Sequence, residues 1–156
     1  MAQERLITQI DYARAGKITP QMEAVAAKEH KTPEEIRAGV AKGRIAIPAN
    51  IHHAALSPEG VGEGMRTKVN VNLGISGDLM NAEMELEKVR TAIELGAEGI
   101  MDLSNHGKTH DFRKHLIDMS PAMIGTVPMY DAIGYLEKPL IGITAQDFLE
   151  RCSRSR

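Results

Sequence analysis

Three short apolar runs, each ending in polar or Gly/Pro residues, constrain the possible folds of this chain more than any other feature. They are residues 69–74, 100–104 and 124–130, and helix-like segments separate them. Asn72, Met101 and Tyr130 lie at matching ends of these runs, 29 residues apart each time. This period is typical of a repeating strand–helix unit, and α/β folds of this kind bind ligands at the carboxyl ends of their parallel strands.

Helix and loop signals divide the chain into four predicted regions. Residues 1–47 form a small, mostly helical N-terminal domain, in which Thr19 and Thr32 are N-caps before prolines and Gly43 ends a helix in the left-handed conformation. Residues 48–66 form a connecting loop, and its glycine-rich segment 60–64 is flexible. Residues 67–150 hold the strand–helix repeat, and residues 151–156 form a polar tail.

Hydrophobic periodicity predicts the elements of the repeat in order. After a first strand beginning near residue 67, the expected elements are a helix over 81–95, a strand over 99–103, a helix over 111–119, a strand over 123–127 and a helix that opens at Thr144 and reaches Glu150. A closed (βα)8 barrel needs about 250 residues. The sequence therefore predicts three strands of an incomplete (βα)8 barrel, whose apolar surface needs a partner to cover it. A compact flavodoxin-like α/β domain is the alternative.

Composition excludes several classes of function. The 156 residues are 42% hydrophobic and 26% charged, as in globular proteins. A net charge of −2 and an aromatic content of 3% argue against a nucleic-acid partner, which would need basic patches or stacking platforms. No run approaches the roughly 18 apolar residues of a membrane span, and the first 16 residues lack a secretory pattern. With Cys152 as the single cysteine, these features predict a cytoplasmic protein without membrane contacts.

Polar residues at the predicted strand ends are the candidate binding residues. Asn70 and Asn72 share one face of their strand, where they either bind a polar ligand or belong to a surface or structural hydrogen-bond network. Residues 102–105 form either a ligand-binding loop or a simple helix N-cap and turn. Gly125 within a strand indicates close approach of another group. Tyr130 either donates a hydrogen bond to a phosphate or sugar or packs with its hydroxyl at the surface.

Histidine and cysteine patterns predict neither a metal site nor a catalytic nucleophile. His106 and His110 have the i, i+4 spacing of helical metal ligands, but Gly107 between them favours a loop. Cys152 lies in a polar segment without a histidine or helix start to activate its thiol. We therefore expect solvated histidines and no catalytic residue within this chain.

Several segments, taken in order, resemble the thiamine pyrimidine synthase family, which includes phosphomethylpyrimidine synthase and the anaerobic 5-hydroxybenzimidazole synthase. The resemblance rests on residues 14–23 and 43–50, on Lys-Val-Asn-Val-Asn-Leu-Gly at 68–74, on Met-Asp-Leu-Ser at 101–104 and on Ser-Pro-Ala-Met-Ile-Gly-Thr-Val-Pro-Met-Tyr at 120–130. These segments span nearly the whole chain. Their order and spacing make the resemblance specific.

The resemblance implies a small N-terminal domain followed by a (βα)8 barrel. It also implies a radical rearrangement of 5-aminoimidazole ribotide, driven by S-adenosylmethionine and a [4Fe-4S] cluster, in a full-length homodimer that binds zinc. Three substrate-contact positions of the family fall on Asn72, Met101 and Tyr130. By this resemblance Asn72 would hydrogen-bond the substrate, Met101 would line its pocket and Tyr130 would help hold it.

The chain also departs from the family. It lacks the C-x-x-C-x-x-x-x-C cluster motif and the later strands that carry the zinc-site histidines, and Cys152 cannot replace three thiolates. We therefore expect an N-terminal fragment without radical chemistry of its own, or alternatively a non-catalytic ribotide-binding or regulatory protein. Both product branches stay open, thiamine pyrimidine and the benzimidazole of anaerobic cobalamin synthesis, because residues 104–109 lack the Ser-Thr-Gly run usual in pyrimidine synthases.

Overall fold

A computed structural model describes residues 7–154 of the chain, except residues 79, 108 and 137–139. Residues 1–6 of the predicted N-terminal domain and residues 155–156 of the predicted tail therefore lie outside the described residues. The fold is mixed α/β and divides into two compact units, Met1–Lys68 and Val69–Arg156. Each unit has its own sheet and its own hydrophobic core.

The first unit contains three short helices and a two-stranded antiparallel sheet. In chain order these are α1 (Gln9–Arg14), α2 (Pro20–Glu29), α3 (Pro33–Ala41), β1 (Ile45–Ala46) and β2 (Val61–Gly62). Thr19 and Thr32 each accept a backbone hydrogen bond at the start of their helices, which confirms the predicted N-caps. Gly43 follows α3 with a φ of 70°, as predicted.

A continuous apolar core holds the first unit together. Its buried members come from all three helices and from β1, and they are Ala13, Met22, Val25, Ala26, Ile36, Val40, Ile45 and Ile47. Residues 48–66 belong to this same unit. The prediction of a flexible glycine-rich segment at 60–64 is wrong, because this segment contains β2. At Gly62, φ is 142° and a Cβ atom would collide with the carbonyl oxygen of Arg44, so that only glycine fits beside β1.

A buried ion pair joins α2 to the segment after β2. The Lys68 ammonium donates to Glu29, and the two side chains are only 7% and 3% exposed. The other carboxylate oxygen of Glu29 accepts from the backbone N–H of Arg66 at 2.7 Å. Burial alone would raise the pKa of Glu29, but these two hydrogen bonds outweigh burial and hold the pKa below its ordinary value.

A second lysine–glutamate pair lies beside the first. Lys28 Nζ donates to Glu59 Oε1 at 2.5 Å and also to the Ser57 hydroxyl and the Pro58 carbonyl, at 2.7 and 3.0 Å. Glu59 Oε2 is 4.0 Å from Lys68 Nζ, so the two pairs form one charged cluster. These contacts attach residues 57–59 of the predicted connecting loop to α2.

The second unit contains a three-stranded parallel sheet in the strand order β3, β4, β5. Its elements are β3 (Asn70–Leu73), α4 (Ala82–Glu94), β4 (Gly99–Asp102), α5 (His110–Met119), β5 (Met123–Thr126), α6 (Pro128–Leu136), a 3-10 turn (Leu140–Gly142) and α7 (Ala145–Arg154). The predicted strands and the two helices between them are confirmed to within a few residues. Core residues from both crossover helices, among them Val89, Phe112 and Leu116, pack with Leu73 and Ile100 of the sheet.

Two predictions about the last third of the chain are wrong. Helix α6 begins at Pro128, directly after β5, where no helix was expected. Helix α7 continues to Arg154, although the sequence analysis ended it at Glu150 and treated residues 151–156 as a tail. Arginine is a good helix former and is favourable near a helix C-terminus, so the polar sequence continues the helix. In the described part of the chain, no helix is both long and apolar enough to cross a membrane.

We predict that Glu29→Gln destabilises the chain by about 3 kcal/mol, because it leaves the buried Lys68 ammonium with the neutral Arg66 carbonyl and the more distant Glu59 as partners. The pKa of Glu29 is lowered in the folded state, so this stabilisation is present above the unfolded value of about 4.3 and is lost as pH falls through the folded pKa. Urea unfolding across this pH range measures the difference. The exposed Arg44–Glu63 pair supplies the control, since Glu63→Gln is expected to change little. Equal effects of the two substitutions would contradict the prediction.

Candidate functional site

The alternation of residues along β3 gives the sheet one polar, exposed face. Asn70 and Asn72 are exposed, whereas Leu73 is buried in the core on the opposite face. The Nδ2 group of Asn70 donates to Oδ1 of Asn72 at 3.0 Å, which confirms that the two side chains share a face. We call this side of the sheet the asparagine face.

The parallel register places Asn72 beside Met101, so the 29-residue spacing between them is the true spacing of β3 and β4. On the other side of β4, Met101 aligns with Gly125 of β5. Residues that are paired across parallel strands project to the same side, so Met101 and Gly125 also belong to the asparagine face. The carboxyl ends of the three strands therefore present one row, formed by Asn72, Met101 and Gly125.

Tyr130 does not continue this row, and the prediction that it ends a strand is wrong. The register between β4 and β5 pairs Gly99 with Met123, a separation of 24 residues (99 to 123) rather than 29. Tyr130 lies in the first turn of α6, four residues beyond the end of β5 at Thr126, and it is 38% exposed. The residue is at the same end of the sheet as Asn72 and Met101, but on a helix.

Gly125 leaves room for the side chain of Met101. A Cβ atom at position 125 would lie well inside contact distance of the Met101 sulfur, so the thioether occupies the space that a larger residue would fill. The sequence analysis expected a close approach at this glycine, and the approaching group is Met101 of the neighbouring strand. The Met101 side chain therefore extends over β5, its neighbour on one side. On its other side, Met101 is paired with Asn72 of β3.

A buried carboxylate fixes the backbone just after β3. Glu85 of α4 is only 1% exposed, and it accepts a hydrogen bond from the backbone N–H of Gly74 at 2.9 Å and one from Lys88 at 2.6 Å. Gly74 has a φ of 150°, and a Cβ atom there would be 2.5 Å from the backbone nitrogen of Ser104. The chain after β3 thus lies directly against the chain after β4, with α4 holding it in place.

A second polar network fixes the backbone after β4. Asp102 is 1% exposed, accepts from both the backbone N–H and the hydroxyl of Ser104, at 3.0 and 2.5 Å, and accepts from Arg113 Nε at 3.0 Å. Ser104 Oγ in turn accepts from the backbone N–H of Ile75 at 2.9 Å. Residues 102–105 were interpreted either as a ligand-binding loop or as a structural turn. The hydrogen bonds of Asp102 and Ser104 are those of a structural turn. Sequence reasoning missed Glu85 and Arg113, because charged residues on helices usually face water.

The histidines do not gather with other ligand types in the part of the chain that the structure describes. No group of three or more His, Cys, Asp or Glu residues there is placed to hold a metal ion. Gly107 has a φ of 73° and separates His106, in a bend, from His110 at the start of α5. The predicted interruption between these histidines is confirmed.

Comparison with known proteins relates the chain to a family of radical enzymes. A model described as the Radical SAM ThiC family matches residues 8–155. A phosphomethylpyrimidine synthase from Alkaliphilus metalliredigens is 62% identical over 143 residues, which are 92% of this chain and 33% of that protein. A phosphomethylpyrimidine synthase from Clostridium botulinum strain Hall is 57% identical over the same extent. The chain thus spans about a third of the length of these curated relatives.

We predict that Gly74→Ala destabilises the second unit by about 2–4 kcal/mol, because strained backbone and a collision with the backbone of Ser104 add together. Gly96→Ala is the matched control, since Gly96 also has positive φ, 84°, but no atom lies within 4 Å of its added Cβ. The control is expected to lose about 1–2 kcal/mol. Thermal unfolding of both variants measures the difference, and equal losses would show that close packing at Gly74 does not matter.

Proposed function

Because the chain belongs to the Radical SAM ThiC family, we propose that it is the N-terminal portion of a phosphomethylpyrimidine synthase. That enzyme would convert 5-aminoimidazole ribotide into 4-amino-5-hydroxymethyl-2-methylpyrimidine phosphate for thiamine biosynthesis. The observation that carries the proposal is the position of Asn72 beside Met101 on an accessible face at the carboxyl ends of parallel strands. This is the end of an α/β sheet at which ligands bind.

The arrangement of the second unit supports a partial (βα)8 barrel. Its strands follow one another in sequence order, and residues of both α4 and α5 pack with the same core cluster, which includes Leu73 and Ile100. In a barrel the helices cover the outer face, residues along each strand alternate between the helix side and the inner side, and ligands bind at the carboxyl ends of the strands. Asn70 and Asn72 on the exposed face fit that inner surface. A doubly wound sheet would instead cover both faces with helices.

The three candidate residues suit a small aromatic ribotide in different ways. The carboxamide of Asn72 can donate and accept hydrogen bonds, and its exposure leaves it accessible to a polar ligand. The thioether of Met101 can lie against a flat imidazole ring, since sulfur–aromatic contacts are favourable. Tyr130, at the same end of the sheet, can donate its phenolic hydrogen to a sugar or phosphate oxygen. In this proposal all three residues bind and orient the substrate.

The residues of this chain do not provide the iron–sulfur centre that the family name implies. A [4Fe-4S] cluster is held by cysteine thiolates, and the sequence contains one cysteine, Cys152. In the family the cluster activates S-adenosylmethionine to form the radical. We propose that the cysteine ligands and the zinc ligands lie in other parts of the complete enzyme, and that this chain by itself has no radical activity.

The thiamine branch is proposed because the relatives named above are phosphomethylpyrimidine synthases. Residues 104–109 read Ser-Asn-His-Gly-Lys-Thr, and this segment, together with residues 74–78 and 130–135, favours the sister product, 5-hydroxybenzimidazole. Both branches use the same ribotide. Binding of that substrate therefore tests what the two have in common.

We predict that the 156-residue chain binds 5-aminoimidazole ribotide in isothermal titration calorimetry and that Asn72→Ala weakens binding about tenfold, the effect of losing one hydrogen bond. Asn50→Ala is the control, because Asn50 is also an exposed asparagine but belongs to the first unit and not to the asparagine face. It is expected to bind as the unchanged chain does. Absence of binding, or equal weakening in both variants, would contradict this role for the asparagine face.

A further inference from the structure

Asn70 lies two residues before Asn72 on the same face of β3, roughly 7 Å farther from the carboxyl end of the strand. Its Nδ2 group donates to Oδ1 of Asn72 at 3.0 Å. The family resemblance assigns substrate contact to Asn72, but nothing assigns a role to Asn70. The hydrogen bond between the two carboxamides indicates what that role is.

The neighbouring strand leaves space for this arrangement. Asn70 is paired with Gly99 of β4, and a Cβ atom at position 99 would be 3.1 Å from Oδ1 of Asn70. That separation is tighter than ordinary van der Waals contact, so alanine at position 99 would move the Asn70 carboxamide by a few tenths of an ångström. The Asn70 carboxamide therefore lies directly against the backbone of Gly99.

The hydrogen bond from Asn70 restricts what Asn72 can offer a ligand. A carboxamide has an accepting oxygen and a donating amino group. The bond from Asn70 takes one of the two acceptor positions of the Asn72 oxygen and fixes which way the carboxamide faces. The Asn72 amino group is left to meet a ligand atom, and in the described part of the chain no residue accepts from it. Without Asn70, the Asn72 amide could turn over and present either end.

We propose that Asn70 is a positioning residue, which holds the carboxamide of Asn72 so that its amino group faces the ligand. The inference rests on the proposed ribotide site and deepens it: the ligand atom that meets the amino group of Asn72 is an acceptor, such as a ring nitrogen or a hydroxyl or phosphate oxygen. Asn70 itself makes no contact with the ligand. It acts only through Asn72.

Side-chain amide resonances test the hydrogen bond without any ligand. The sequence contains five asparagines, so a chain labelled with 15N-asparagine gives few side-chain signals, and each is assigned by its loss in the corresponding alanine variant. We expect Asn70→Ala to shift the Asn72 signals and Asn105→Ala to leave them unchanged. Gly99→Ala should shift them as well, by displacing Asn70. Unchanged Asn72 signals in Asn70→Ala would overturn the proposal.

Titration of the same samples with 5-aminoimidazole ribotide tests the consequence for binding. Asn70→Ala is expected to weaken binding about threefold to fivefold, less than Asn72→Ala. Asn72→Asp keeps an acceptor for Asn70 but lacks an amino group. The Asn70 signals should therefore stay close to their positions in the unchanged chain, while ribotide binding falls about tenfold or more. Equal weakening by Asn70→Ala and Asn72→Ala, with unshifted Asn72 signals, would mean that Asn70 contacts the ligand directly and would overturn the positioning role.

The two experiments separate failure of this inference from failure of the proposed function. If the unchanged chain does not bind ribotide, the proposed substrate is wrong. The Asn72 signals still decide whether Asn70 holds its carboxamide. If ribotide binds and Asn70→Ala neither shifts those signals nor weakens binding, the site remains but Asn70 has no part in it.

Discussion

The hydrogen-bonded register between β3 and β4 is the constraint on which the candidate site depends. Side chains alternate along a strand, so a slip of one residue would turn Asn72 toward the helices and bring a core residue to the open face. The ladder continues beyond the strands, where Leu103 and Asn105 donate to the carbonyls of Leu73 and Ile75 at 2.8 and 3.0 Å. This extension fixes the register at the end of the sheet where a ligand would bind.

Two different kinds of interaction support the two faces of the sheet. On the helix side, apolar packing is combined with buried carboxylates: Glu85 holds the backbone of Gly74, and Asp102 links Ser104 to Arg113. An unpaired carboxylate buried at either place would destabilise the fold. Because both carboxylates are paired, their contacts are rigid. On the asparagine face the polar groups remain accessible. The buried networks thus position the strand ends, while the exposed residues are free to bind.

The sequence predicted the repeating part of the fold well, but it did not predict the features whose positions are determined by tertiary contacts. Alternation and helical periodicity located β3, α4, β4, α5 and β5, and they placed Asn72 beside Met101. Tyr130 was misplaced because the prediction assumed that the 29-residue spacing applies to both pairs of strands. The segment with the short helix α5 is shorter, so corresponding residues of β4 and β5 are only 24 residues apart. Helix α6 was missed because residues 128–130 were counted as the end of the third apolar run and not as the start of a helix. Glu85 was missed because its burial arises only once α4 packs against the sheet.

The proposed site requires that the ribotide binds on the asparagine face, next to Met101. Methyl NMR of the chain labelled with 13C at its nine methionine methyl groups tests it directly during addition of 5-aminoimidazole ribotide. We expect the Met101 signal to shift with saturation and the signal of Met22, which is buried in the core of the first unit, to stay unchanged. A saturable shift at Met22 or at other methionines, with Met101 unchanged, would contradict it.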